Sequence, residues 1–326
     1  MHTNGAQKSV RVFAMSYRQL RRRVWRALPA CLQSPVLRLL RWPEYSTTLT
    51  VRRFAKFAQS RFRDEVVIST TGEIWFRDSG GGEFFVPSDR TDWIGRGVSQ
   101  SEPFESALLS RNVGSGTLLD IGANVGLHSI RVALQRPAAR IFAFEPVSAN
   151  HAVLVKNLAR NGLAQRVVAI HAAVGAAPGT VMMPASFGTG NWVGGVIRGA
   201  QSEEIPLLTI DSFLKERGLG EVGLVKCDVE GYELRVLQGM TACLRNLRPR
   251  LLLEIDETWC ARLGHHAADV FALLRPLGYR YMRVMPGSGL KPPLASESES
   301  QASTSNFWFY PQEAGPGVVD TADQAP

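Results

Sequence analysis

Two short stretches carry residues able to do chemistry. The first, LLDIGANVGLHSI at residues 118–130, runs from apolar residues into an acid, Asp120, then through Gly122, Asn124 and Gly126 into a helix-like pattern. Glycines at a strand-to-helix corner let backbone approach a ligand, and the first helical turn leaves amide donors free. Their spacing does not fit G-x-G-x-x-G, and no Gly-Lys-Ser/Thr follows, so neither a dinucleotide fingerprint nor a P-loop is present. The second stretch, VKCDVEGYE at 225–233, sets Asp228 and Glu230 at the carboxyl end of a predicted strand. That is the edge where open α/β sheets bind ligands.

A third acid links the two. The strand after the glycine corner, RIFAFE at 140–145, ends in Glu145 and is followed by Pro146. A carboxylate there can accept both hydroxyls of a ribose. With the glycine corner one βα unit upstream, the physical reading is a nucleoside cofactor. Asp120 has two compatible readings, tying down loop amides or facing a positively charged cofactor group, since a carboxylate offers several lone-pair sites. His128, just inside the following helix, either packs or contacts ligand.

At the second acidic site, Asp228 and Glu230 share a side if the strand persists that far, and Glu233 belongs to the next helix. One reading has Asp228 or Glu230 capping that helix, with Glu233 meeting its dipole. Functionally, Asp228 orients an acceptor hydroxyl, with base assistance second, because alignment alone supplies much of a displacement's rate. Glu254 reads as a wall of the substrate site. Asp228, Glu230, Glu254 and Asp256 offer oxygens to Mg²⁺, but no Asp-Asp-Asn or histidine cluster accompanies them and no metal is expected. His265 and His266 read as capping or solvent-facing. Trp192, in GTGNWVGG at 188–195, either stacks on a substrate ring or anchors a loop. Glu102 and Glu105 are weaker polar candidates.

These residues need a scaffold. Residues 65–86 alternate β-rich runs and turns, a small antiparallel meander with SGGG (79–82) as a loop or bulge. Residues 102–112 look helical. From 117 the pattern becomes strand, helix, strand: TLLDI (117–121), a helix near 126–135, RIFAFE, a helix opened by Ser148 and stopped by Gly162, then RVVAIHAAV (166–174) as a third strand. Further strands follow at 222–229, 250–256, 279–284 and 306–310, with a helix after EGYE and another near 267–275. Seven main strands emerge, in a parallel sheet with helices on its faces. The segment 179–196 leaves the sheet edge or forms a lid, and 288–305 reads as a flexible loop.

Composition bounds the class. The chain has 326 residues, 45% hydrophobic, enough for a sizeable core, and a net charge of +8. Residues 1–63 hold fourteen Lys or Arg against one acid, Glu44, leaving the remainder net negative. Such an arm suits nucleic acid, anionic lipid or an acidic partner, or is a solvated leader. No secretory signal or membrane span is read, and Cys31, Cys227, Cys243 and Cys260 lack metal or redox spacing. They read as reduced thiols of a cytoplasmic protein.

LLDIGANVGLHSI, FAFEP and VKCDVEGYELRVLQG together resemble the FkbM family of S-adenosylmethionine-dependent methyltransferases, over roughly residues 95–285, with NFWFY fitting the final strand. The combination with K-x-D-x-E-G-x-E, here Lys226, Asp228, Glu230, Gly231 and Glu233, is the specific part. The resemblance implies an α/β, Rossmann-like class I methyltransferase fold, a mostly parallel seven-stranded sheet with a terminal antiparallel strand. It implies S-adenosyl-L-methionine as cofactor and methyl transfer to a hydroxyl of a sugar, glycosylated molecule or secondary metabolite. Asp120, Gly122, Asn124 and Gly126 would cradle the methionine portion, Glu145 the ribose, and residues around Ala173 the adenine. Asp228 and Glu230 would be catalytic, with Trp192, Glu254 and His128 toward the substrate. The family's usual apolar or aromatic residue near position 128 is a His here. The expected organisation is a basic arm (1–63, partly disordered or helical), a β-rich and helical cap (64–114), a methyltransferase domain (115–310) and a disordered tail (311–326). Two other readings stand beside this one: a nucleic-acid methyltransferase using the basic arm, and an inactive methyltransferase-like scaffold. Peripheral membrane contact through the arm is a further expectation; nucleic acid is not the expected partner.

Overall fold

A computed structural model describes residues 65–68, 74–85, 102–184, 202–285, 289–291 and 305–317. The basic arm and Trp192 lie outside these. Strands β1 (Glu65–Ile68), β2 (Ile74–Arg77) and β3 (Glu83–Phe85) form the expected antiparallel meander. Its SGGG turn is closed by Asp78, whose Oδ1 accepts the Gly82 amide at 2.9 Å. The meander and the body from Phe104 onward are separate compact units.

The body opens with α1 (Pro103–Val113), β4 (Thr117–Ile121), α2 (Leu127–Gln135), β5 (Arg140–Phe144), α3 (Ser148–Arg160) and β6 (Val167–Ile170). A small excursion follows, β7 (Ala173–Val174), β8 (Gly179–Pro184) and β9 (Ser202–Leu208), which make their own three-stranded sheet. The chain then returns through α4 (Ile210–Glu216), β10 (Leu224–Cys227), α5 (Glu233–Gln238), α6 (Thr241–Asn246), β11 (Arg250–Ile255), α7 (Glu257–Arg262), α8 (Ala267–Leu274), β12 (Tyr279–Met285), β13 (Gly289–Lys291) and β14 (Ser305–Pro311). The main sheet has the order β13-β12-β14-β11-β10-β4-β5-β6. Neighbours from β11 to β6 are parallel, and β14 inserts antiparallel between β11 and β12. This is the expected seven-stranded, mostly parallel sheet, with β13 as a short eighth strand at the edge.

The strand sequences explain the layering. All five residues of β4, TLLDI, and all four of β10, LVKC, are buried. Continuous burial is what a parallel sheet covered on both faces demands. Alternate residues Leu119, Ile121, Phe142, Phe144, Val225, Cys227, Leu251 and Leu253 share one core with Phe213, Val236 and Phe271. The intervening side chains, Asp120 and Lys226 among them, face the opposite side. From β4 the chain steps outward to β5 and β6, then crosses back to β10 and β11. The order therefore reverses between β4 and β10, the switch point where open α/β sheets take ligands at their carboxyl ends.

Several expectations are corrected. RVVAIHAAV is not one strand: β6 stops at Ile170, the Ala172 amide turns back to the Ile170 carbonyl at 3.1 Å, and Ala173 joins β9 in the small sheet. His171 holds this break, its Nε2 lying 3.0 Å from the Pro146 carbonyl and 3.1 Å from Ser148 Oγ. α3 itself opens at Ser148 and ends before Gly162, as expected, with Val147 preceding it at the cap position. Residues 311–317, expected as a disordered tail, are tied in: Arg248 pairs with Glu313, Arg250 Nη2 reaches the Ala314 carbonyl at 3.1 Å, and Trp308 Nε1 donates to Pro316 at 2.8 Å. Part of the expected loop at 288–305 is the edge strand β13.

Cys227, Cys243 and Cys260 are free and buried, and burial pushes the thiols of Cys243 and Cys260 up to about 12. Thiols so far from ionisation are inert packing groups. Among the described residues no helix is long and apolar enough to cross a membrane.

Gly239, at the end of α5, fixes the junction between the small sheet and the body: a Cβ there would lie 1.9 Å from the Gly175 carbonyl oxygen. Both atoms belong to backbone, so neither yields cheaply. Gly239→Ala is expected to lower the unfolding free energy by about 2 kcal/mol, read as a reduced urea midpoint at unchanged slope.

Candidate functional site

The glycine corner sits over the carboxyl ends of β4, β5 and β10. The amides of Gly122 and Ala123 both donate to the Phe144 carbonyl, at 3.0 and 2.9 Å, turning the chain across the end of β5. Gly122 has φ 78°, and a Cβ on it would fall 1.9 Å from the Asp228 carbonyl oxygen. Only glycine satisfies both conditions. Asn124 (φ 52°) and Gly126 (φ 90°) are also left-handed, and Asn is among the few side chains that tolerate that region. A Cβ at Gly126 would meet Leu154 of α3 at 2.6 Å. Among the described residues no side chain caps the start of α2.

Glu145 fastens this corner to the next. Its Oε2 accepts the Asn124 amide at 2.8 Å, and its Oε1 accepts Val147 N at 3.0 Å and Asn150 Nδ2 at 3.2 Å. Burial raises its pKa, partly offset by those three donors and by the charge of Lys226. Beneath the corner, Asp120 is fully enclosed. Its Oδ2 accepts Ser129 Oγ at 2.6 Å, and its Oδ1 faces Lys226 Nζ at 3.8 Å. The positive group it meets is thus the protein's own ammonium, and the hydroxyl it fastens belongs to α2.

Lys226 connects the two motifs. It is buried, and its ammonium donates to the Gly122 carbonyl at 3.0 Å and to Asp228 Oδ2 at 3.2 Å. The Asp228 side chain keeps 28% of its surface exposed, so it stands at the rim. Burial alone would raise its pKa; the Lys226 ammonium, a hydrogen bond with Glu254 and the charge of His128 outweigh that and hold it below the ordinary carboxylate value. The Asp228–Glu254 bond needs one proton between the two groups.

β10 stops at Cys227, so the strand does not persist far enough for Glu230 to share a face with Asp228. Glu230 takes a left-handed turn at φ 55° and is half-buried. Gly231 follows at φ 92° because a Cβ there would lie 2.7 Å from the Trp259 backbone of α7. Glu233 opens α5 and folds back, its Oε1 accepting Val229 N at 2.9 Å. It is completely buried, its Oε2 has no hydrogen-bond partner among the described residues, and burial pushes its pKa to about 8.

On the same side of the sheet, buried His128 places Nδ1 2.9 Å from Ser106 Oγ of α1, and Arg131 Nη1 donates to that oxygen at 3.1 Å. Glu254 lies on β11 opposite Asn306 of β14, whose Nδ2 reaches Glu105 at 3.4 Å. Asp120, Gly122, Asn124, Gly126, Glu145, Asp228, Glu254 and His128 therefore gather at one end of the sheet, whereas Ala173 belongs to β7 in the small sheet. Sequence reasoning missed Lys226 as a group with its own role, as well as Ser106, Arg131 and His171. A lone lysine inside the apolar run LVKC was the available signal, since buried lysines occur almost only when paired.

The fold is that of S-adenosylmethionine-dependent methyltransferases. Residues 120–281 match the Methyltransferase FkbM domain, and this segment belongs to that family. The chain is 30% identical over 154 residues to methyltransferase sdnD of Sordaria araneosa, covering 38% of this chain and 60% of that protein. It is 27% identical over 178 residues to the hexuronic acid methyltransferase AglP of Haloferax volcanii, covering 50% and 66%. It is 26% identical over 191 residues to the 31-O-demethyl-FK506 methyltransferase FkbM of Streptomyces tacrolimicus, covering 50% and 72%. The chain thus spans less than two thirds of the first two of these relatives.

Glu233 gives the site a pH signature. Its folded pKa of about 8 exceeds the ordinary 4.5, so the native state holds a proton that the unfolded chain has lost. Its contribution is full below pH 4.5 and is lost as pH rises towards 8. Between these limits wild-type unfolding free energy is expected to fall relative to Glu233→Gln by up to about 1.4 kcal/mol per pH unit. Paired urea titrations from pH 5 to 8.5 measure that difference.

Proposed function

We propose that the chain transfers the methyl group of S-adenosylmethionine to a hydroxyl oxygen of a small molecule, a sugar or a glycosylated or secondary-metabolite compound. The observation that carries the reading is the contact of Gly122 with the Asp228 backbone, which sets a charged carboxylate at the rim of the glycine corner. The acceptor class is supported by the relatives, one named for a hexuronic acid and another for a 31-O-demethyl acceptor.

The residues present fit the cofactor. The uncapped start of α2 leaves first-turn amides for a carboxylate such as that of its methionine portion. Glu145 uses three of about four lone-pair sites on its own backbone and Asn150, which leaves acceptor capacity for a ribose hydroxyl. Gly122, Asn124 and Gly126 keep the corner low enough for close approach. When bound, the cofactor supplies a methyl group activated by a sulfonium. Asp228 accepts the hydrogen of the acceptor hydroxyl and aims its oxygen; alignment is its main contribution and proton acceptance at its carboxylate the second. Lys226 keeps Asp228 charged for both tasks. Glu254 forms the adjacent wall. Glu230 and Trp192 complete the proposed acceptor side, Trp192 by sequence alone. The basic arm carries no part of this reading.

Calorimetry with S-adenosylhomocysteine tests the cofactor site. Wild type is expected to bind, and Glu145→Ala to weaken binding roughly tenfold or more, the value of a hydrogen bond to a charged group. Asp228→Asn is expected to leave that affinity within about threefold, yet reduce transfer of labelled methyl to acceptors in a sugar and metabolite extract by about a hundredfold. A folded wild-type chain that does not bind S-adenosylhomocysteine would sink the proposal.

A further inference from the structure

A carboxylate offers about two lone-pair sites on each oxygen, and the fold fills those of Glu145 unevenly. Oε1 accepts the Val147 amide at 3.0 Å and Asn150 Nδ2 at 3.2 Å, so both of its sites are taken by the start of α3. Oε2 accepts one donor, the Asn124 amide at 2.8 Å, and that donor belongs to the glycine corner. Only 4% of Glu145 is exposed. A ligand seated over the corner therefore meets one oxygen with one site left. That differs from the two-oxygen fork with which a strand-end carboxylate can take a pair of ribose hydroxyls.

Asn150 makes the difference between the two oxygens. It stands in the first turn of α3 and is 3% exposed. Its orientation is compulsory: turned over, the amide would press its own oxygen against the ionised Glu145, acceptor against acceptor. Held the right way, its Oδ1 is buried with no hydrogen-bond partner among the described residues. Interiors rarely leave such an acceptor unmet, because its desolvation goes uncompensated. The fold accepts that loss at Asn150 and gains a fixed carboxylate at Glu145.

We infer that Asn150 is a positioning residue for the cofactor: by occupying Oε1 of Glu145 it leaves Oε2 as the acceptor, so that Glu145 engages one ribose hydroxyl and the other hydroxyl has no bond to it. The inference rests on the S-adenosylmethionine reading of the site. Asn150 touches no ligand in this arrangement. Its Oδ1 is enclosed, its Nδ2 is committed, and it acts only through Glu145.

Calorimetry on the full chain with S-adenosylhomocysteine and its 2′-deoxy and 3′-deoxy analogues reads the contact hydroxyl by hydroxyl. In wild type, the analogue lacking the engaged hydroxyl is expected to bind roughly tenfold more weakly than S-adenosylhomocysteine, the value of a hydrogen bond to a charged group. In Glu145→Ala that loss is expected to vanish, while the other analogue keeps the same ratio to S-adenosylhomocysteine in both proteins. A Glu145-dependent loss for both hydroxyls, or for neither, would overturn the inference. Asn150→Leu keeps the volume and removes the donor. It is expected to weaken S-adenosylhomocysteine roughly three- to tenfold and to leave the analogue without the engaged hydroxyl within about twofold. Equal losses for the two ligands, or none, would remove Asn150 from the scheme, since a merely structural defect does not distinguish them. If Asn150→Leu does not fold, Asn150→Ala carries the same comparison, and wild type against Glu145→Ala decides the single hydroxyl in any case. A folded wild type that binds none of the three ligands removes the cofactor reading itself, whereas binding with both hydroxyls coupled to Glu145 removes this inference alone.

Discussion

One buried ammonium organises this end of the molecule. Lys226 sits in the middle of the sheet, at the point where strand order reverses, and its charge is answered by Asp120 below, by Asp228 at the rim and by a backbone carbonyl of the glycine corner. Removing one member of such an arrangement leaves an uncompensated charge in the interior, a loss of about 3–5 kcal/mol in comparable cases. The arrangement therefore does more than stabilise. It fixes the height of the β4–α2 turn relative to the end of β10, the dimension on which a bound cofactor and an acceptor carboxylate must agree. Glu145 performs the same service sideways, joining the β4–α2 turn to the β5–α3 turn through one carboxyl group.

Electrostatics sorts the acids of the second motif. Asp228, beside Lys226 and partly exposed, is held in its charged form. Glu233, five residues on and fully enclosed, is pushed toward neutrality and spends its oxygen on turn amides. Two carboxyls in one short stretch thus have opposite characters, one available to a ligand and one committed to the turn. The left-handed pair Glu230 and Gly231 makes that separation geometric, since the chain reverses between them and lets α7 pack against the glycine.

Much of this was legible in the sequence. Unbroken apolar runs such as TLLDI and RLLLEI announce strands covered on both faces, and GANVG announces a corner where backbone conformation overrides side-chain preference. The acids proposed for the site, Glu145 and Asp228, were found because each follows such a run. What escaped has common physical causes. RVVAIHAAV stays apolar across the point where β6 ends and β7 begins, so periodicity carries no mark of the break; the bonds of His171 to Pro146 and Ser148 make it. Ser106 and Arg131 gain meaning only from their partner, 22 residues from one and three from the other along the chain. Residues 311–317 look like a polar tail, yet their order comes from arginines on a distant loop and strand.

The side chains packed around this end of the sheet come from both flanks of the family-matched segment. α1 supplies Ser106 and Glu105 from before residue 120, and β14 supplies Asn306 from after residue 281. The core between them holds the corner, the ammonium and the charged rim. Under the proposed methyl-transfer reading, substitutions in the flanking helix and strand would alter the acceptor side while leaving the glycine corner and Lys226 in place.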